Sequence, residues 1–139
     1  MITVKTILVS YRVSDRDRSL TFYTTLGYLE VGRVDIETAE LVMLRLPDEA
    51  SVSLELVCRP GGDPISGDSG FDHLAIEVDD LARTRDRLVA GGLKPTPIEH
   101  PGGPDGPTTC FVVDPDGYRI ELVQWPDGSN GGMTEADFD

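Results

Sequence analysis

The sequence has few basic residues for its length. Its 139 residues include 12 Lys and Arg against 25 Asp and Glu, which gives a formal net charge of −13. Nucleic acids and anionic membrane surfaces are bound through clustered Lys and Arg, so this composition argues against both as partners. A cationic ligand or a bound metal ion is compatible with the charge, although the need for solubility alone would also explain it.

Cysteines and long apolar runs are also scarce. Cys58 and Cys110 are the only cysteines, too few for a disulfide framework, and neither belongs to a CxxC pair. No apolar run approaches the roughly 20 residues that span a bilayer. The start, Met1 to Thr6, lacks the basic and apolar regions of a signal peptide. The sequence therefore predicts a soluble, cytoplasmic protein with reduced thiols.

The apolar patterns divide the chain into two similar halves. Each half reads as a strand, an acidic helix cap, a short helix, a glycine stop and three further strands. The predicted elements of the first half are 4–13, 15–26, 28–34, 39–46 and 52–58. Those of the second half are 71–78, 81–90, 93–99, 108–114 and 118–123.

This repeat predicts an α+β fold built from two βαβββ modules related by a pseudo-two-fold axis. The modules span about 4–58 and 71–125, and the Gly- and Pro-rich segment 59–70 links them. Residues 1–125 are predicted to form a single domain. The segment 126–139 is Gly-rich and acidic with few apolar residues, so we predict a flexible tail.

The repeat places polar residues at matching positions in otherwise apolar strands. Leu8 aligns with His73 in the first strand of each half, and Glu55 aligns with Glu121 in the last strand. Singly, each polar residue is better explained as an exposed or structural side chain than as a metal ligand. Together, an imidazole and two carboxylates form a suitable ligand set for Zn²⁺, Ni²⁺, Co²⁺, Mn²⁺ or Fe²⁺. The sequence therefore predicts one divalent metal ion bound by Glu55, His73 and Glu121.

A set of short motifs is distributed over both halves. The motifs are RVSD (12–15), FYTTLG (22–27), LEL (54–56), HLA (73–75), VDD (78–80), DPDGY (114–118) and IEL (120–122). With the paired modules, they resemble the vicinal oxygen chelate superfamily and above all its glyoxalase I (lactoylglutathione lyase) branch. The resemblance covers residues 4–124 and implies a glyoxalase/bleomycin-resistance-type fold with curved mixed sheets.

The resemblance also implies roles for individual residues. The metal ligands of the glyoxalase I branch match Leu8, Glu55, His73 and Glu121 of this sequence. Leu8 cannot coordinate a metal, so one of the four ligands is replaced here. By the same resemblance Glu121 is also the catalytic base, and Arg12 binds an acidic group of the substrate. Other positions that hold glutathione in the family do not match, among them Arg59 and Ser69.

Two functions from different classes follow. The first is a glyoxalase I-like lyase or isomerase that acts through a metal-stabilised enediolate on a small oxygenated substrate, with or without a conjugated thiol. The alternative is a metal-free, bleomycin-resistance-type protein that sequesters a cationic small molecule, which Leu8 and the net charge of −13 both favour. An iron dioxygenase would require a second histidine ligand in place of Leu8. The resemblance further implies a homodimer.

Overall fold

The computed structural model describes residues 2–65, 70–129 and 132–138. The chain divides into two units, Met1–Ser69 and Gly70–Asp139. The first unit contains β1 (Val9–Val13), α1 (Arg16–Leu26), β2 (Leu29–Ile36), β3 (Ala39–Arg45) and β4 (Leu54–Cys58). The second unit contains β5 (His73–Glu77), α2 (Leu81–Ala90), β6 (Thr108–Val113), β7 (Arg119–Gln124) and a short 3₁₀ helix, Glu135–Phe138.

Helix α1 has a side-chain cap at one end and a glycine at the other. Asp15 Oδ1 accepts a hydrogen bond of 3.1 Å from the backbone N–H of Arg18, which satisfies a donor that the first helical turn leaves unpaired. Gly27 follows the last turn with φ 130°, a conformation that side chains with a Cβ rarely adopt. The predicted helix was therefore correct to within its capping residue.

The first unit forms a four-stranded sheet in the order β1-β4-β3-β2, with β1 parallel to β4. One face carries the buried apolar side chains of this sheet, namely Tyr11, Val13, Val42, Leu44, Leu54 and Leu56. Helix α1 contacts this face, since the hydroxyls of Tyr11 and Tyr23 lie 2.5 Å apart. The opposite face carries Glu55. The segment before Val9 was predicted as strand but is not, because the parallel ladder with β4 begins only at Leu54.

The second unit forms a three-stranded sheet in the order β5-β7-β6, with β5 parallel to β7. The start of α2 is tied to β7 by a 2.7 Å hydrogen bond from the Leu81 N–H to Gln124 Oε1. The strand predicted over 93–99 is reduced to a single bridge between Glu99 and Thr109. Pro95 and Pro97 explain the reduction, because neither can donate a ladder hydrogen bond.

Both units thus run from a strand through a helix to further strands, three in the first unit and two in the second, and each unit pairs its first strand in parallel with its last. This confirms the predicted α+β fold of two modules. Part of the predicted linker, 66–69, and residues 130, 131 and 139 of the predicted tail lie outside the described residues. In the described part of the chain, no helix is long and apolar enough to cross a membrane.

The turn before β7 is held by one buried carboxylate. Asp114 Oδ1 accepts hydrogen bonds from the backbone N–H groups of Asp116, at 2.9 Å, and Tyr118, at 2.8 Å. Gly117 takes φ 93°, as the DPDG sequence predicts. The turn sets the point at which β7 begins, and hence the position of Glu121 along the sheet.

Replacing Asp114 with alanine should lower the free energy of unfolding by about 2 to 3 kcal/mol, because two backbone N–H groups lose their acceptor. Asp114→Asn keeps a side-chain oxygen at the same place and should cost less than about 1 kcal/mol. Urea unfolding of the two variants measures the difference. Equal losses in both variants would show that the charge of Asp114, and not its accepted hydrogen bonds, stabilises the turn.

Candidate functional site

The second unit brings two of the predicted ligands together. His73 begins β5 and Glu121 lies in β7, and the two strands pair in parallel with Ala75 opposite Glu121. His73 Nε2 lies 3.4 Å from Glu121 Oε1, and the two side chains are 32% and 21% exposed. We call His73 and Glu121 the ligand pair. Both side chains are accessible from solvent while their strands are fixed in the sheet.

Asp72 orients the imidazole of the ligand pair. Its Oδ2 lies 2.6 Å from His73 Nδ1, and this hydrogen bond, with the nearby charge of Arg119, lowers the pKa of the Asp72 carboxyl. An ionised carboxylate only accepts hydrogen bonds, so Nδ1 is the donor. In the neutral imidazole the lone pair is then on Nε2, the nitrogen that faces Glu121. Metal-binding histidines commonly have this carboxylate partner on their second nitrogen.

The geometry of the ligand pair fits a divalent metal ion. His73 Nε2 faces Glu121 Oε1, and an imidazole nitrogen and a carboxylate oxygen are both common ligands of divalent metal ions. Their 3.4 Å separation is longer than an ordinary N–H···O hydrogen bond. Two ligands bound tetrahedrally to one ion at about 2.0 to 2.1 Å lie about 3.4 Å apart. The pair therefore provides two suitable ligands at a suitable distance.

The other two predicted positions lie in the first unit. Glu55 is half-buried in β4, where its Oε1 accepts a 2.8 Å hydrogen bond from Ser10 Oγ. Ser10 is opposite Glu55 in the parallel ladder, as Ala75 is opposite Glu121. Two residues before Ser10 stands Leu8, and two residues before Ala75 stands His73. Leu8 lies just before β1 and outside this ladder, so its alignment with His73 stays a prediction.

A complete metal cluster does not follow from these positions. Within the described ranges 2–65, 70–129 and 132–138, no group of three or more His, Cys, Asp and Glu side chains is arranged to hold a metal ion. The ligand pair belongs to the second unit and Glu55 to the first. The set of Glu55, His73 and Glu121 therefore stays a prediction.

Arg12 lies in β1, two residues after Ser10 and on the same face of the sheet as Ser10 and Glu55. The backbone at Gly62 approaches it closely, because a Cβ added to Gly62 would lie only 2.6 Å from Arg12 Nη1. A larger residue at position 62 would displace the guanidinium. The role of Arg12 in binding an acidic substrate group stays a prediction.

Three neighbours of the ligand pair were missed by sequence reasoning. Asp72 precedes His73 directly, and Arg119 precedes Glu121 by two residues, so strand alternation places Arg119 on the same face as Glu121. That alternation was a usable signal. Phe111 is opposite Glu121 in the β6–β7 ladder, a neighbour that only the register reveals.

The comparisons with known proteins identify the family of the chain. A family model described as the Glyoxalase/Bleomycin resistance protein/Dioxygenase superfamily matches residues 6–122. The chain belongs to this superfamily. The glyoxalase resemblance of the sequence motifs is thereby confirmed, together with the two-module fold.

Several members of the glyoxalase superfamily are similar over most of the chain. The "Probable lactoylglutathione lyase" of Vibrio cholerae is 37% identical over 119 residues, which are 81% of this chain and 85% of that protein. The "Probable lactoylglutathione lyase, chloroplastic" of Arabidopsis thaliana is 36% identical over 122 residues, but this chain covers only 34% of its length. The structure of the glyoxalase I of Leishmania major, described as trypanothione-dependent, is 32% identical with a TM-score of 0.70, and the match covers 88% of this chain and 87% of that chain. At the level of the family, these relatives support a glyoxalase I-like activity.

Proposed function

We propose that the chain is a glyoxalase I-type lyase that isomerises a small substrate with two adjacent oxygens. The observation that carries the proposal is the ligand pair: His73 Nε2 faces Glu121 Oε1 at 3.4 Å while Asp72 holds the other ring nitrogen. This arrangement occurs in a chain whose relatives at 36 and 37% identity are each named "Probable lactoylglutathione lyase". The proposal takes residues 1–125 as one functional domain and 126–139 as a tail.

His73 and Glu121 would hold a divalent metal ion, with Glu55 as a third ligand from the same chain or from a second copy. Leu8 leaves the fourth position without a protein ligand, which keeps room for water or for substrate oxygens. When bound, the ion would act as a Lewis acid that polarises the substrate carbonyl and offsets the negative charge of the enediolate. One imidazole and two carboxylates are suitable ligands for Zn²⁺, Ni²⁺, Co²⁺, Mn²⁺ or Fe²⁺.

Glu121 is the proposed catalytic base. Its carboxylate removes the proton from the carbon next to the polarised carbonyl and returns a proton to the adjacent carbon. Its position suits both steps, because the side chain is partly shielded by the sheet and still 21% exposed to an incoming substrate. His73 keeps its place throughout, since Asp72 holds Nδ1.

Two further parts of the proposal, the role of Arg12 and the homodimer, come from the family resemblance, and the cytoplasmic location comes from the composition. Arg12 would bind an acidic group of the substrate by charge-assisted hydrogen bonds. The enzyme would work as a homodimer, and it would be cytoplasmic. Neither nucleic acid nor membrane is a proposed partner, because the net charge of −13 disfavours both.

A second function, a metal-free binding protein for a cationic small molecule, is favoured by one observation. Counting two residues back from Ser10 and Ala75, which lie opposite Glu55 and Glu121, pairs Leu8 with His73, so the first unit offers an apolar side chain where the second offers an imidazole. A binding protein would use the carboxylates of Glu55 and Glu121 to attract the cation. The two functions differ in whether a metal is bound, and metal titration therefore separates them.

Calorimetric titration of metal-stripped protein with Ni²⁺ and Zn²⁺ should show one tight site per chain. His73→Ala should weaken that site about 100-fold, because four ligands together contribute roughly 10 to 16 kcal/mol, or about 3 kcal/mol for each ligand. The control is His100→Ala, which removes the only other histidine, an exposed loop residue. It should leave the affinity unchanged.

Two results of this titration would contradict the enzyme proposal. One is the absence of binding. The other is equal binding by the wild type and His73→Ala, which would show that the metal sits elsewhere. Either result would favour the binding protein, and titration with cationic drugs would then be the next measurement.

A further inference from the structure

Arg119 is a fixed cation next to the ligand pair. It lies opposite His73 in the β5–β7 ladder and two residues before Glu121, on the same face of the sheet. The basic residues of this chain are outnumbered two to one by acidic residues, 12 against 25. A guanidinium next to two predicted metal ligands is therefore a distinctive feature of this surface.

An aromatic ring holds the guanidinium in place. The Arg119 guanidinium carbon lies 4.1 Å from the centroid of the Phe111 ring, a cation–π contact. The His73 ring packs against the same phenyl ring, edge to face, with centroids 5.5 Å apart. Phe111 itself is opposite Glu121 in the β6–β7 ladder. One phenyl ring therefore positions both Arg119 and the imidazole of the ligand pair.

The hydrogen-bond donors of Arg119 are largely available to a ligand. Its side chain is 47% exposed, and among the described residues its one ion-pair partner is Asp72, at 3.6 Å from Nη1. Asp72 is 79% exposed, and the same oxygen already accepts the 2.6 Å hydrogen bond from His73. An exposed ion pair at this distance contributes little to binding or stability. A ligand carboxylate could therefore replace Asp72 as the partner of Arg119 at small cost.

The repeat shows that Arg119 is not needed to build the sheet. The equivalent residue of the first unit, two positions before Glu55, is Ser53, and its Oγ donates a 2.6 Å hydrogen bond to Glu49. The first unit forms its parallel strand pair without a cation at this position. The arginine is specific to the unit that contains the ligand pair.

From these contacts we infer that Arg119 is a specificity residue that binds a carboxylate of the substrate next to the metal-binding oxygens. The planar guanidinium can pair with a carboxylate through two parallel hydrogen bonds, and stacking on Phe111 fixes its orientation beforehand. This inference rests on the proposed function and adds a substrate class, namely acids that carry two adjacent oxygens and a separate carboxylate. Such a substrate contacts the ligand pair and Arg119 at the same time.

The test uses two probes that differ in one group. The monohydroxamate of succinic acid offers two adjacent oxygens and a terminal carboxylate, and its terminal amide analogue has the same shape without the charge. Calorimetric titration of Ni²⁺-loaded wild type should show about tenfold tighter binding of the acid. Arg119→Gln should bind the two probes equally, and Arg119→Lys should show an intermediate preference because it keeps the charge and loses the planar fork.

Arg83→Gln is the matched control. Arg83 is an exposed arginine of α2 in the same unit, and its loss changes the net charge by the same amount. It should keep the tenfold preference of the wild type. A preference that survives Arg119→Gln, or that Arg83→Gln also removes, would overturn the inference. So would a wild type that binds the acid and the amide equally.

Failure of this inference and failure of the proposed function give different results. Ni²⁺ uptake is measured first, and its absence would count against the lyase. The same two probes are then titrated into metal-free protein, where the ratio of the two affinities still reports on Arg119. A preference for the acid that depends on Arg119 would support the carboxylate site even there. Normal Ni²⁺ uptake together with equal binding of the two probes would refute the carboxylate site at Arg119 and leave the proposed lyase unaffected.

Discussion

Glu121→Gln is expected to lower kcat for the isomerisation of 2-oxoaldehyde hemithioacetals about 1,000-fold. A positioned general base typically contributes 10² to 10⁴ in rate, and a thousandfold loss corresponds to about 4 kcal/mol in the activation free energy. The amide cannot accept the substrate proton at neutral pH, although its oxygen can still coordinate a metal. KM should change far less than kcat, since the substrate oxygens and Arg119 are untouched. Steady-state kinetics, with the metal content of each sample measured alongside, provide the comparison.

Glu77→Gln is the control for this loss. Glu77 lies on β5 opposite Val123, is exposed, and shares the sheet with Glu121. The same change of charge there should leave kcat within about twofold. A Glu121→Gln enzyme that keeps both its metal and its kcat would show that another group takes the proton. Loss of activity together with loss of metal would leave Glu121 as a ligand and remove the argument for its role as a base.

Much of the fold could be predicted because the relevant signals are local. Three such signals depend on neighbouring residues only. They are the glycine with positive φ after α1, the DPDG turn and the alternating strand around Glu121. The strand predicted over 93–99 is only a single bridge because its two prolines cannot donate ladder hydrogen bonds. The start of the first strand was predicted too early, at residue 4, for a non-local reason. Its partner β4 begins only at Leu54.

The sequence repeat predicted two residues that the second unit brings together, but it did not predict their neighbours. Equivalence within the repeat identified His73 and Glu121, and the parallel ladder of the second unit brings them to 3.4 Å. Phe111 could not be identified as a neighbour, because the β6–β7 register decides which residue lies opposite Glu121. Arg119 was accessible to strand alternation but had no counterpart in the first half that would have drawn attention to it.

Leu8→His is expected to raise the affinity for Ni²⁺ or Zn²⁺ about 100-fold. Each ligand of a four-ligand site contributes about 3 kcal/mol, and the sequence repeat predicts that Leu8 is the counterpart of His73. Leu8 is half-buried just before β1, so the exchange should cost little stability. Metal titration of the variant against the wild type measures the gain.

The control is Ile7→His, which adds an imidazole one residue earlier at a side chain that is 69% exposed. An affinity gain confined to Leu8→His would show that position 8 faces the metal and that the natural leucine keeps a coordination position open. The same gain in both variants would mean that any nearby histidine recruits the ion. An unchanged affinity for the metal in Leu8→His would show that equivalence within the repeat does not predict the metal ligands. The two units would then share their pattern of parallel strands, but only the second unit would determine metal binding.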